Sequence, residues 1–165
     1  MKQLWAPWRM DYILGDSEKN GCDCIFCVRD IVGEDRARLI LHRGEHAFVI
    51  MNKFPYTNGH LMVAPYRHTS DPGGLSDDEA LEMHRLMVLC RDVLKKRIAP
   101  QGFNLGMNLG QIAGAGLADH LHLHIVPRWS GDTNFMPVFA DVRVVPQHLE
   151  ATYALLLDEF PRRSP

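Results

Sequence analysis

The feature of this chain that most constrains its fold is an alternation of histidines with branched apolar residues, His-Leu-His-Leu-His-Ile-Val, over residues 120–126. Side chains two residues apart in a strand lie on one face, roughly 6.5–7 Å from each other. The pattern predicts a β-strand over 120–127 that places His120, His122 and His124 side by side opposite a buried face. A row of neutral imidazoles offers a nucleophile, hydrogen-bond donors and metal ligands within reach of one phosphate.

The size and composition of the chain are typical of one globular domain. Its 165 residues are 46% hydrophobic and 23% charged, with a net charge of −2. No broad basic field favours a nucleic-acid duplex as a partner, and no apolar run approaches the roughly 20 residues that cross a bilayer. The N-terminus shows no apolar segment of a signal peptide, so we expect a cytoplasmic protein. We expect a single domain over residues 1–165, with an aromatic arm over 1–20 and a C-terminal extension over 128–165 that carries a strand and a helix.

Turn signals divide the chain into short strands around one long helix. A capping box from Ser76 to Glu79 predicts the start of this helix, and Pro100 lies just beyond its expected end. A second helix is predicted from Pro146 to about Phe160. Further strands are predicted over 39–42, 46–51, 60–65, 103–109 and 138–145. Strands in pairs with one long intervening helix indicate an α+β fold with an antiparallel sheet.

His122, the middle histidine, is the candidate nucleophile. Imidazole attacks phosphorus well, and the resulting P–N bond is labile enough to break in a second step. The segment 110–116 before the histidines is glycine-rich, and it lacks the Gly-Lys-Ser/Thr ending of a P-loop. Glycines let backbone N–H groups approach phosphate oxygens, so Gly114 and Gly116 are candidates for an anion cradle. A plain hairpin connection is the alternative interpretation of this loop.

Two cysteines in a C-x-x-C spacing, Cys24 and Cys27, indicate a metal site. Tetrahedral zinc needs two more ligands, and His68 and His120 are the candidates. A redox role is the alternative use of this motif, but the βαβ context of thioredoxin-like proteins is missing. Two unligated cysteines at the edge of a core are the other alternative. Spacing alone leaves three alternative ligands: Cys22, His42 and His46.

Taken together, these motifs resemble the histidine triad superfamily of nucleotide hydrolases and transferases. The likeness includes the triad, the segments 24–27, 49–52, 58–60 and 64–68, and Pro127-Arg128. The segments 4–9 and 131–138 are similar to the branch that contains microbial diadenosine tetraphosphate phosphorylases and proteins of the fragile-histidine-triad type. The resemblance implies a five-stranded antiparallel sheet with two main helices, commonly in a homodimer.

The resemblance also implies a role for each candidate residue. His122 matches the nucleophile that forms a nucleotidyl–histidine intermediate, and His124 matches a phosphate-binding histidine. His120 matches the triad histidine that completes a zinc site, here with Cys24, Cys27 and His68. The expected catalytic residues are therefore His120, His122 and His124. The expected substrate-binding residues are Asn52, His60, Asn108, Gly114 and Gly116.

Two positions depart from the pattern of the hydrolases in this superfamily. Gly116 stands where they carry glutamine, and Leu117 stands where they usually carry serine or threonine. A more open, backbone-lined pocket at this point would admit inorganic phosphate as the second nucleophile. We therefore expect phosphorolysis or hydrolysis of diadenosine polyphosphates through an AMP–histidine intermediate. The alternatives are an adenosine phosphoramidase-like hydrolase and a nucleotide-binding module without turnover.

Overall fold

The computed structural model describes residues 24–132 and 149–161. Five strands form one sheet in the order β1-β2-β3-β5-β4, and every neighbouring pair is antiparallel. The strands are β1 (Ile40–Arg43), β2 (Ala47–Met51), β3 (Leu61–Pro65), β4 (Gly102–Met107) and β5 (Leu123–Arg128), and the helices are α1 (Asp77–Ile98) and α2 (Leu149–Leu157). The predicted α+β fold with two main helices is confirmed. The arm over 1–20 and the strand predicted over 138–145 lie outside the described residues.

Helix α1 begins and ends where local chemistry dictates. The Ser76 side chain accepts a hydrogen bond from the N–H of Glu79, and the Glu79 carboxylate accepts one from the N–H of Ser76. This capping box satisfies two N–H groups that the first turn leaves unbonded. The helix ends at Ile98, and its cap Ala99 has a left-handed φ of 44°, because Pro100 cannot continue the helix. Neither α1 nor α2 combines the length and the apolar character needed to cross a bilayer.

The two faces of the sheet bury different sets of side chains. Alternate residues of β2 and β3, such as Val49 and Val63, pack in one core with α1 and α2. Their neighbours, such as Phe48 and Met62, point to the other face and pack in a second core with Phe26 and Val28. The segment that carries the C-x-x-C motif therefore covers the sheet on the side opposite α1.

The histidine segment is extended, but its strand is shorter than predicted. β5 begins at Leu123, because the backbone before it turns to a loop: the N–H of Leu121 donates to the carbonyl of Thr69 at 2.6 Å. The predicted start at His120 is wrong by three residues. His124 pairs with Met62 of the second core, so its imidazole lies on the face opposite α1.

Candidate active site and metal centre

Four side chains from three separate segments converge at one end of the histidine row. The ligand atoms of Cys24, Cys27, His68 and His120 all lie within 4.8 Å of one another. Sγ of Cys24 is 3.3 Å from Nδ1 of His120, and Sγ of Cys27 is 3.4 Å from Nδ1 of His68. Two thiols and two imidazoles are a donor set typical of tetrahedral metal sites. The four residues predicted as ligands could therefore hold one metal ion.

His120 is oriented for metal binding by the strand beside it. Its Nε2 donates a hydrogen bond to the carbonyl of Pro65 at 2.8 Å, so the lone pair of the neutral ring lies on Nδ1, toward Cys24. Burial lowers the pKa of His120, and the hydrogen bond to Pro65 only partly opposes this effect. The ring is therefore neutral at pH 7, as metal coordination requires. Among the described residues, neither His42 nor His46 belongs to the cluster, and Cys22 lies outside them.

His122 has the tautomer of a nucleophile that attacks through Nε2. Its Nδ1 donates a hydrogen bond to the carbonyl of His120 at 2.8 Å, which leaves the lone pair on Nε2. Burial lowers the pKa of His122, although the bond to His120 raises it in part. The imidazole is therefore unprotonated at neutral pH and available to an electrophile. The residue is buried, with 6% of its surface exposed, and its ring centroid lies 4.9 Å from that of Phe26 and 4.8 Å from that of His124.

His124 has the complementary tautomer, which is set by its hydrogen bond with the buried His60. The N–H of Tyr56 donates to Nδ1 of His60 at 3.1 Å, so the proton of His60 lies on Nε2. That Nε2 is 2.9 Å from Nδ1 of His124 and donates to it. In neutral His124 the proton must then lie on Nε2, which makes this atom a donor.

His60, which the sequence suggests as a substrate-binding residue, lies in the interior beside His124, and its contact with substrate stays a prediction. The residue is completely buried, and its ring bonds to His124. The position of His60 at the junction between a loop and β3 gives it access to the interior, which the sequence alone did not indicate. Asn52, at the other end of the loop, is half-buried and accepts a hydrogen bond from the N–H of Phe54 at 2.9 Å.

The other predicted substrate residues follow β4 in the chain. Gly106 pairs with His124, and Asn108 lies two residues further along, just beyond the end of β4. Gly110 and Gly114 have φ of 82° and 89°, which favours glycine at both positions of the loop. The N–H of Gly114 already donates to the carbonyl of Gln111 at 2.9 Å. The backbone at Gly116, which is exposed, is the better candidate for contact with an anion.

Two clefts of the described residues lie away from the histidine row. One of about 580 Å³ is lined by Arg29, His46, Tyr66, Arg67, Ser76 and Glu79. Arg67, one of the two arginines that line this cleft, is paired with Glu79 at 2.9 Å. No histidine of the triad lines it, so volume alone does not identify the reactive site.

Comparison with known proteins decides the family. The model of the HIT domain matches residues 33–131, which include all five strands, helix α1 and the histidine row. The chain belongs to the HIT family. An AP-4-A phosphorylase of Mycobacterium tuberculosis (strain CDC 1551 / Oshkosh) is 38% identical over 168 residues, which cover 99% of this chain and 86% of the relative.

More distant members of the HIT family are similar over a smaller part of the chain. Adenosine 5'-monophosphoramidase hnt1 of Schizosaccharomyces pombe is 31% identical over 105 residues, or 64% of this chain and 74% of the relative. A Zn-bound histidine triad family protein from Mycobacterium smegmatis has a TM-score of 0.64 at 27% identity, and the match covers 82% of this chain and 91% of that structure.

Sequence reasoning missed two aromatic residues of this HIT site. Phe26, between the two cysteines, has its ring centroid 4.9 Å from that of His122. Tyr56 has its ring centroid 4.7 Å from that of His60 and 6.0 Å from that of His124. The position of Phe26 inside the C-x-x-C motif was a usable signal, because the candidate metal ligands Cys24 and Cys27 lie on either side of it in the chain. Tyr56 lies in a loop without periodicity and gave no signal.

Proposed function

We propose that this HIT-family protein is a nucleotidyltransferase that cleaves diadenosine polyphosphates, diadenosine tetraphosphate above all. The observation that carries the proposal is the neutral His122 ring whose Nδ1 is bonded to the His120 carbonyl and whose Nε2 holds the lone pair. The 38% identity to an AP-4-A phosphorylase over nearly the whole chain supports this choice of substrate.

In the first step, Nε2 of His122 attacks the α-phosphorus of the dinucleotide. A P–N bond forms, the P–O bond to the rest of the polyphosphate breaks, and ATP leaves from diadenosine tetraphosphate. Nε2–H of His124 donates to the phosphoryl oxygens as negative charge develops there, with Asn108 and the backbone at Gly116 as further donors. Asn52 is the candidate contact for the ribose.

In the second step, a nucleophile attacks the phosphorus of the AMP–His122 intermediate and the P–N bond breaks. Inorganic phosphate gives ADP, whereas water gives AMP. Gly116 and Leu117 offer neither the side-chain amide nor the hydroxyl that the hydrolases of this family carry at these positions. We therefore favour phosphate, because the space and the backbone donors at Gly116 suit an anion better than a single water molecule.

We propose that the metal is zinc and that its ligands are Cys24, Cys27, His68 and His120. The Cys₂His₂ donor set and the orientation of His120 by the Pro65 carbonyl fit this ion. With four protein ligands a bound zinc ion is closed to substrate and supplies structural stability. Through these four ligands, the start of the histidine segment would be held against the C-x-x-C loop.

We also propose a homodimer in a reducing, cytoplasmic compartment, with residues 1–165 in one domain. Among the described strands, β4 lies at one edge of the sheet, and it exposes Leu105, Met107 and, just beyond its end, Leu109. Leu105 pairs with Ile125, which belongs to the core that packs against α1. The exposed apolar side chains of β4 therefore continue that core beyond the helix. A second copy would cover both this apolar surface and the outer edge of β4, which no other described strand pairs with. Thiolate ligands such as Cys24 persist where thiols are kept reduced.

Product analysis with and without phosphate tests the proposed reaction. Diadenosine tetraphosphate labelled in one adenosine should give ADP and ATP when phosphate is present, and labelled AMP should be trapped on acid-quenched protein. The variant H122N should bind the dinucleotide and trap no label. AMP as the early product at every phosphate concentration would contradict phosphorolysis. Normal turnover by H122N would contradict the covalent mechanism, and binding without turnover by the wild type would favour the binding module.

A further inference from the structure

One aromatic side chain touches the buried pair that sets the tautomer of His124. The ring of Tyr56 is stacked on His60, with centroids 4.7 Å apart and planes 28° apart. The same ring extends to His124, at 6.0 Å and 33°. Tyr56 is half-buried, whereas His60 beneath it is fully buried. The ring thus lies between the His60–His124 hydrogen bond and the outside of the loop.

The orientation of an imidazole depends on what packs against it. The torsion that rotates a histidine ring about its Cβ–Cγ bond is broad, so hydrogen bonds and packing decide which nitrogen points where. His60 must present Nε2 to His124 and Nδ1 to the N–H of Tyr56. A rotated His60 ring would direct a carbon atom or the wrong nitrogen at His124. A flat ring stacked on His60 opposes this rotation and excludes water that would compete for both hydrogen bonds.

We propose that the aromatic ring of Tyr56 is a positioning group that, by stacking on His60, holds His124 with its proton on Nε2 and directed at the phosphoryl group. The ring acts through His60, and the phenol hydroxyl plays no part. The kinetic consequence rests on the proposed transfer of AMP, whereas the structural consequence concerns the resting protein. Loss of the ring lowers kcat because the donor at His124 is misplaced during charge development.

Three variants at this position separate the ring from its hydroxyl and from apolar bulk. Y56F keeps the flat ring and the backbone N–H, Y56L keeps much of the volume, and Y56A removes the side chain. Long-range ¹H–¹⁵N spectra of uniformly labelled resting protein report which nitrogen of His60 and of His124 carries the proton. Steady-state turnover of diadenosine tetraphosphate gives kcat and KM for each variant.

We expect Y56F to match the wild type in the tautomers of both histidines and to keep kcat within about twofold. Y56L and Y56A should show mixed or exchanging tautomers at His60 and His124, with kcat lowered roughly ten- to hundredfold and KM changed far less. If Y56A does not fold, Y56L carries the test. Wild-type tautomers in Y56L together with an unchanged kcat would overturn the proposal.

Other outcomes also decide the question. A raised KM at constant kcat, with the tautomers intact, would make Tyr56 a substrate contact and would overturn a positioning role. A loss of activity in Y56F would assign the role to the hydroxyl and overturn the proposal as well. If wild-type protein does not turn over any dinucleotide, the proposed function fails, but the spectra still decide whether the ring orders His60 and His124.

Discussion

The carbonyl oxygen of His120 accepts a hydrogen bond from Nδ1 of His122 at 2.8 Å, while the His120 imidazole belongs to the cluster that could hold a metal. One residue therefore connects the metal centre to the candidate nucleophile. Phe26 makes a second connection, because it lies between the two cysteines and its ring centroid is 4.9 Å from that of His122. The position and tautomer of His122 consequently depend on a segment that a bound metal ion would hold in place.

Removal of one thiol should reduce both zinc content and turnover. We expect C27S to carry zinc well below the stoichiometry of the wild type and to lose at least about tenfold in kcat, because His120 and Phe26 lose their anchor. Zinc is measured by plasma mass spectrometry after dialysis.

C90A is the matched control, because Cys90 is buried on α1 outside the cluster. C90A should keep its zinc at a cost of about 1 kcal/mol in stability. Full zinc content in C27S would contradict the ligand assignment.

The guanidinium of Arg43 should hold the segment that follows Cys27. It donates to the Asp35 carboxylate and to the carbonyls of Val28 and Ile31 at 2.8–2.9 Å. The hydrogen bond with Asp35 raises the pKa of Arg43 despite partial burial. R43K keeps the charge but lacks the planar fork that reaches three acceptors, so it should lose about 1–3 kcal/mol.

Amide hydrogen exchange should locate this effect of R43K within residues 28–35. The matched control is R91K, because Arg91 is exposed and pairs only with its sequence neighbour Asp92 among the described contacts. Exposed pairs of this kind contribute little, so R91K should leave stability within about 0.5 kcal/mol of the wild type. Equal protection of residues 28–35 in R43K and R91K would contradict the proposed role of Arg43.

The sequence predicted the components of the site better than their connections. Period-two alternation was enough to predict a row of histidines, because only an extended chain places His122 and His124 on one side. The C-x-x-C spacing was enough to select Cys24 and Cys27. The shortened start of β5 depends on the Thr69 carbonyl, which is distant in sequence, and local patterns carry no such information. The burial of His60 depends on tertiary packing in the same way.

Glu82 should make stability depend on pH in the acidic range. Its carboxylate accepts hydrogen bonds from the N–H groups of Glu45 and His46, in the turn between β1 and β2, and of Ala47, the first residue of β2. Burial alone raises the pKa of Glu82, but these three donors outweigh burial, and the net pKa lies below the ordinary value of 4.5. Because the folded state favours the carboxylate, this contribution is present above about pH 4.5 and is lost as pH falls through the lowered pKa.

We expect E82Q to be less stable than the wild type by about 1–3 kcal/mol at pH 7, because a neutral amide oxygen replaces a charged acceptor. The difference should shrink as the pH is lowered below about 4.5. Urea unfolding at a series of pH values measures both quantities. E150Q is the control, because Glu150 forms an exposed ion pair with Arg36. A difference between E82Q and wild type that does not vary with pH would contradict the role of the charged carboxylate.

Charge on the exposed face of β4 should dissociate the proposed homodimer. Leu105 is 45% exposed on the edge strand, beside the partly exposed Met107. L105K would place a charge in an apolar interface without a partner, so we expect the dimer dissociation constant to rise by about tenfold or more. Sedimentation velocity over a range of protein concentrations measures the shift.

L81K is the matched control for L105K, because Leu81 has nearly the same exposure, 46%, but lies on α1. It should leave self-association unchanged. Equal weakening by both variants would indicate a general effect of charge, and a monomeric wild type would contradict the dimer itself. If L105K is monomeric yet retains kcat, the site is complete within one copy. If L105K loses kcat and recovers it at high protein concentration, the histidine row needs the support of the second copy through β4. This strand pairs with β5 along its whole length.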